Sequence, residues 1–372
     1  MQDVKTREKR LVYLDSARGL AAFRVMTWHF LVMFISRVDV NLLKNPLRIF
    51  YYGDSDIIFF FIHSGFILSY SYAHRLTAPD AASYFRFLIE RFFRIFPLFI
   101  FLLVVSFVVQ KYFYSFQPHL FFTVHSKNLW NETVSVRDVL QQAVLVILPE
   151  SQSNKRLLPQ DWTLSVEVIV GAMLPLLIFS IKRNVWLFFI VFFLLWQCCN
   201  TYVFEFGTGV FLFHFREEIQ DYWNRTKTIY KVFLCCVTLV FDTCFFQYGS
   251  LFSSENIVYS YSIDRLIVNF GCVLLFIIII SSEKIQKVLS NKWLVWLGKI
   301  CYSLYLWHVL LLIVFSAKVF SLLLPVFKQP FLALGVTFCL LIISTLLLSF
   351  FSFTFIEVPF NKLGKKLSRS LS

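Results

Sequence analysis

The sequence has no C-x-x-C pair and no cluster of histidines. Its eight cysteines all lie in or beside apolar runs, so neither a disulfide framework nor a metal site is read from them. No hydrophilic stretch is long enough for a soluble domain, and no internal repeat stands out. Acidic residues are scarce, 22 Asp and Glu against 35 Lys and Arg, leaving a net charge of +13. In a soluble protein that excess would point to nucleic acid. Here the cations sit in short polar gaps between apolar runs, which reads as membrane topology, and no nucleic-acid partner is implied.

What is abundant settles the class. The chain is 58% hydrophobic and 19% aromatic, with 47 phenylalanines, and its mean hydropathy is +0.69. A soluble fold cannot hide that much apolar surface, whereas a bundle facing lipid need not. The expectation is an all-α polytopic protein of about ten transmembrane helices, near 12–36, 55–74, 94–115, 162–181, 185–201, 203–215, 229–249, 263–281, 295–317 and 331–355. The fifth and sixth are short and are alternatively one long broken helix. The basic run before residue 12 resembles the start of a signal peptide, but Arg18 and Arg24 interrupt the apolar segment behind it, so that segment is read as a retained span.

With the amino terminus inside, the cytoplasmic segments hold 22 Lys and Arg and the external ones 10. By the positive-inside rule both termini are expected in the cytoplasm. Residues 1–372 read as one unit, with basic tails at 1–11 and 362–372. The largest external loop, 116–161, is expected to be a lid or re-entrant piece.

The ionisable residues inside these spans are the candidates for function, because each costs a few kcal/mol to insert, about 2.5–3.5 for Asp or Arg at the centre. Arg18 and His29 lie eleven residues apart on the first span, hence on one face and about 16 Å apart along the axis. Asp15 falls near that face and Arg24 does not. Trp162-Thr163-Leu164-Ser165-Val166-Glu167 opens the fourth span in the opposite direction, bringing Glu167 near the depth of His29. A carboxylate there would support the imidazole as a general base, or form a plain hydrogen bond between packed helices.

His63 is either a pocket residue or a packing hydrogen bond, and Asp56 shares its face. Ser64-Gly65 would admit another backbone closely. Asp242 stands alone in the seventh span, with its depth near theirs. Arg91 and Arg94, at i and i+3, suit phosphate oxygens or serve as topology anchors. Tyr305 and His308 lie in the ninth span and Glu357 ends the tenth.

Together these residues resemble the acyltransferase-3 family of integral membrane O-acyltransferases. The likeness rests on Leu14-Asp15 with Arg18-Gly19 and His29, on Phe60-Phe61 with Ser64-Gly65-Phe66, and on Arg91-x-x-Arg94-Ile95-Phe96-Pro97. It continues through Trp162 to Glu167, Tyr302-Ser303-Leu304-Tyr305-Leu306-Trp307-His308 and Glu357-x-Pro359, in the family's order. The chain departs from the pattern at Arg24, Ile58, His63 and Cys301, and carries no fused hydrolase-like domain.

The resemblance implies transfer of an acyl group, usually acetyl, from cytoplasmic acyl-CoA to a hydroxyl of a surface or lipid-linked carbohydrate. His29 would be the catalytic histidine, with Glu167 behind it. Arg18, Arg91 and Arg94 would serve acyl-CoA. Asp15, His63, Ser64, Trp162, Ser165, Tyr305, His308 and Glu357 would line or support the pocket, and Trp162 or Tyr305 would stabilise the oxyanion. The implied partners are the lipid bilayer, acyl-CoA and the acceptor, without a resident cofactor, in the cell's inner membrane. A transporter or flippase using the same residues as a translocation path is the alternative.

Overall fold

The computed structural model describes residues 11–34, 53–72, 81–114, 130, 132–145, 156–199, 202–243 and 263–370. Among them the chain is helical, with no strand. The amino-terminal tail, most of the 116–161 loop and the side chain of Asp242 lie outside the described residues.

The first helices are α1 (Val12–Phe34), α2 (Asp54–Tyr72), α3 (Ala81–Tyr112) and the short α4 (Val136–Leu145). Next come α5 (Asp161–Ala172) and α6 (Leu174–Arg183), bent 41° apart, then α7 (Val185–Cys199) and α8 (Val203–His214). The chain continues through α9 (Arg216–Arg225), α10 (Thr228–Thr243), α11 (Ile263–Ser281), α12 (Glu283–Leu289) and α13 (Lys292–Lys299). It ends in two long helices, α14 (Cys301–Phe327) and α15 (Pro330–Arg369). Each holds one wide π turn, at Leu312–Ser316 and Phe353–Glu357.

Helices α3, α14 and α15 are long and apolar enough to cross a membrane, and the count rises to five if each bent pair is one span. Helices α1 and α2, with 23 and 19 residues, have the length. They carry Asp15, Arg18, Arg24, Asp56 and His63 in return.

Side-chain contacts give the relative directions. His63 reaches the Leu14 carbonyl while Arg24 pairs with Asp56 at 3.3 Å, so α1 and α2 are antiparallel. Trp307 reaches Ser352 and Ser303 reaches Glu357, so α14 and α15 are antiparallel too. Phe192 packs on Phe204 and Phe188 on Phe211, which makes α7 and α8 a hairpin and removes the single broken helix as an alternative.

Three expectations change in detail. The helix expected as the ninth span starts at Cys301, because 292–299 fold as the separate helix α13, which lies against α1. The basic tail from 362 is not loose: Val358–Arg369 continues α15 and packs along α3, where Gly364 meets Phe93 and Ser368 donates to Glu90. Within the loop 116–161, expected outside, α4 is held through Gln142, which accepts from the Leu157 backbone, and Trp130 donates to the Leu157 carbonyl at 3.0 Å.

Close approach depends on glycine at two crossings. Gly65 and Gly209 let the backbones of α2 and α8 touch, and Gly19 and Gly298 do the same for α1 and α13. A Cβ on Gly19 would stand 2.6 Å from the Gly298 nitrogen, and that backbone cannot swing aside. Gly19→Ala is therefore expected to cost about 1–3 kcal/mol of stability, the usual range for overpacking. It should also shift Arg18 next door, and thermal unfolding in detergent measures the first effect. A melting curve like that of the parent protein would mean that the crossing is not tight.

Candidate functional site

Two cations and one carboxylate of the bundle meet at one cavity of about 710 Å³, counting its open mouth. Helices α1, α2, α3, α5 and α14 wall it. At the charged end stand Arg18 from α1, Arg94 from α3 and Glu167 from α5, with the Cys301 thiol and Tyr302 from α14. At the other end Tyr305 and Thr163 close the wall by a hydroxyl–hydroxyl hydrogen bond of 3.0 Å. Phe60 and Phe61 of α2 supply an apolar side, with Ser64 beside them.

Arg94 is packed deep among protein atoms yet exposed, because the surface it shows is cavity surface. Arg18 feels the carboxylates of Asp15, Glu167 and Glu357, and Arg94 also feels Glu167. Buried cations need such partners, since an unpaired charge at this depth is costly. The π turn at the end of the apolar part of α15 turns Glu357 inward, where it accepts from Ser303. Tyr302 donates to the Ile95 carbonyl at 2.7 Å, tying α14 to α3 beside Arg94.

Arg91 does not line the cavity. Its guanidinium is buried against Gly171 and donates to Glu167 at 3.1 Å. This contact corrects the expected pairing of Glu167 with His29. The carboxylate is used on α3, as a brace for Arg91 and a neighbour of the two cavity arginines. His29 meets His308: its Nδ1 lies 3.0 Å from Nε2 of the other ring. His29 itself is not on the cavity wall. Tyr305 is, and its ring centroid is 5.5 Å from that of His308, so the histidine pair stands one ring beyond the wall.

The remaining candidates divide. Ser64 lines the cavity, but His63 is fully buried and its Nε2–H donates to the Leu14 carbonyl at 3.1 Å, the packing alternative. Trp162 packs at a tilt on Tyr202 and does not line the cavity. Ser165 is buried within α5 and leans on the Asp161 carbonyl. Asp15 stands at the Gly19–Gly298 crossing, where its carbonyl abuts Gly298.

The cavity also takes in Thr163, Tyr302 and Cys301, which sequence reasoning does not single out as pocket residues. Thr163 and Glu167 are i and i+4 on one helix and face the cavity together, a spacing that the sequence does carry.

Residues 11–353 match the model of the acyltransferase-3 family, described as an acyltransferase domain. No curated protein and no solved structure matches the chain.

Proposed function

The chain belongs to the acyltransferase-3 family and is a multi-pass membrane acyltransferase, and from that premise we propose that acyl-CoA is its donor and a carbohydrate hydroxyl its acceptor. The observation that carries the reading is the cavity itself. Two arginines from different helices open onto one chamber whose far wall adjoins a histidine pair. Guanidinium groups suit phosphate oxygens and carbonyls alike.

In this reading Arg18 and Arg94 hold the donor, and the acyl end reaches His29 when the Thr163–Tyr305 hydrogen bond opens. His29 takes the proton from the acceptor hydroxyl as its oxygen attacks the thioester carbonyl. The carbon–sulfur bond then breaks, and the departing CoA sulfur takes that proton back from His29. Tyr305 is the hydroxyl placed to steady the oxyanion. The bundle crosses the inner membrane ten times, counting α5–α6 as one span and adding α7, α8 and α10, with both termini in the cytoplasm. The antiparallel neighbours along the chain support that count, and the 22-to-10 split of basic residues supports the orientation.

The acceptor is tested by mass spectrometry of surface glycans from cells with and without the protein. One glycan should lose a mass of one acetyl group when the protein is absent. Identical spectra for all surface and lipid-linked glycans would remove carbohydrate as the acceptor.

A further inference from the structure

Tyr305 and Thr163 close the far wall of the cavity with one hydrogen bond, and a third group decides which hydroxyl gives the hydrogen. The Thr163 hydroxyl lies 3.0 Å from that of Tyr305 and 2.9 Å from the Gln160 carbonyl, three residues back on its own chain. Thr163 has a single hydrogen, and a carbonyl can only accept. Both contacts hold a hydrogen in one arrangement alone: Thr163 donates to Gln160, and Tyr305 donates to Thr163. In the reverse arrangement the Thr163 and Gln160 oxygens would face each other at 2.9 Å with no hydrogen between them.

The Tyr305 hydrogen is therefore in use while the wall is shut. The backbone that carries it is tied on three sides. Gln160, at the start of α5, donates to the Leu306 carbonyl at 2.9 Å. Tyr302 donates to the Ile95 carbonyl of α3 at 2.7 Å, and Trp307 to Ser352 of α15 at 2.7 Å. Against these ties the bond between the two hydroxyls is the contact that opens without moving a helix, and a neutral hydrogen bond is of modest net worth. Its loss strands no hydrogen on α5, because Thr163 keeps its own on Gln160.

Resting on the reading of this cavity as the donor site, we propose that Thr163 is a positioning residue that holds the Tyr305 hydrogen until the thioester carbonyl takes it. One event then opens the wall and readies the oxyanion donor. As the acyl end arrives, Tyr305 exchanges the Thr163 oxygen for the carbonyl oxygen. That exchange is near even while the carbonyl is neutral. When the acceptor attacks, the oxygen gains negative charge and the hydrogen bond becomes the stronger, charge-assisted kind. The gain therefore falls on the transition state, where it speeds the reaction.

The two partners of this bond should respond in opposite senses. Tyr305→Phe keeps the ring against Phe60 and His308 and loses the hydrogen. Its kcat with acetyl-CoA should fall about 10²–10³-fold, the usual loss of one oxyanion donor, while KM moves less than about twofold. Thr163→Val removes the competing acceptor at nearly constant size, so kcat should rise about threefold. Thr163→Ser restores the acceptor and should bring kcat back to the parental value. Comparable losses in Tyr305→Phe and Thr163→Val would make the bond a packing contact and overturn the proposal.

Infrared spectra of the full-length protein with ring-labelled tyrosine test the direction without turnover. The Tyr305 C–O stretch is assigned by its loss in Tyr305→Phe. It should be that of a donating phenol, move in Thr163→Val, and move in the parent when S-acetonyl-CoA, which has a carbonyl but no thioester, is added. An accepting phenol, or a band that Thr163→Val leaves in place, would overturn the assignment. A parent protein that releases no CoA from acetyl-CoA would instead defeat the proposed function, and the band would still decide which hydroxyl donates.

Discussion

His29→Gln is expected to insert, keep its melting temperature and bind acetyl-CoA, yet turn over about 10²-fold or more slowly, the usual contribution of a positioned general base. Glutamine keeps the approximate size and can still donate towards His308, so packing on α14 is retained. It cannot accept and return the proton. The contacts of Glu167 sharpen what a second substitution should do. That carboxylate pairs with Arg91, so Glu167→Gln should loosen Arg91 and the cavity arginines and raise the KM for the donor. Because two independent roles are removed, the losses in kcat/KM should multiply in the double variant. Steady-state kinetics on the four proteins measure this. A double variant no worse than His29→Gln alone would mean that Glu167 acts through the imidazole after all.

The second large effect is on donor binding. Arg94 opens onto the cavity from α3, and Arg18 faces it from α1. Losing one charged hydrogen-bonding partner of an anionic ligand is worth about 2 kcal/mol, roughly a 30-fold rise in Kd. Arg94→Ala and Arg18→Ala should each show it by isothermal titration with acetyl-CoA. Arg94→Lys should recover only part, since an ammonium keeps the charge but loses the planar fork. Arg91→Ala should weaken binding less, because that side chain is spent on Glu167 and Gly171. Unchanged binding in both Arg18→Ala and Arg94→Ala would make these residues structural ballast for the carboxylates around them.

Much of the site is legible in the sequence because helical spacing is rigid. Arg18 and His29 share a face by arithmetic, and the structure uses that face: Arg18 enters the cavity and His29 meets His308. The small residues Ser64-Gly65 are read as a place for close backbone approach, and Gly65 does meet the α8 backbone; Ser64, which the resemblance puts at the pocket, lines the cavity. Partner choice between helices is not legible, since depth alone does not say which helix lies beside which. Glu167 and His29 are expected at one depth, but α3 supplies the nearer cation and captures the carboxylate. His63 has two readings, and only the nearness of the Leu14 carbonyl separates them. The break before Cys301 is hidden because the apolar pattern runs on through Trp293 and Trp296 while the backbone turns to pack α13 on α1.

The most direct measurement tracks the thiol released from acetyl-CoA by the protein purified in detergent and supplied with lipid-linked sugars extracted from its own membranes. Thiol release should depend on the protein, rise with the sugar extract and fall by about 10²-fold in His29→Gln. A well-folded protein that binds neither donor nor extract productively and leaves the thioester intact would contradict acyl transfer, most plainly if the same protein moved a polar solute across vesicles.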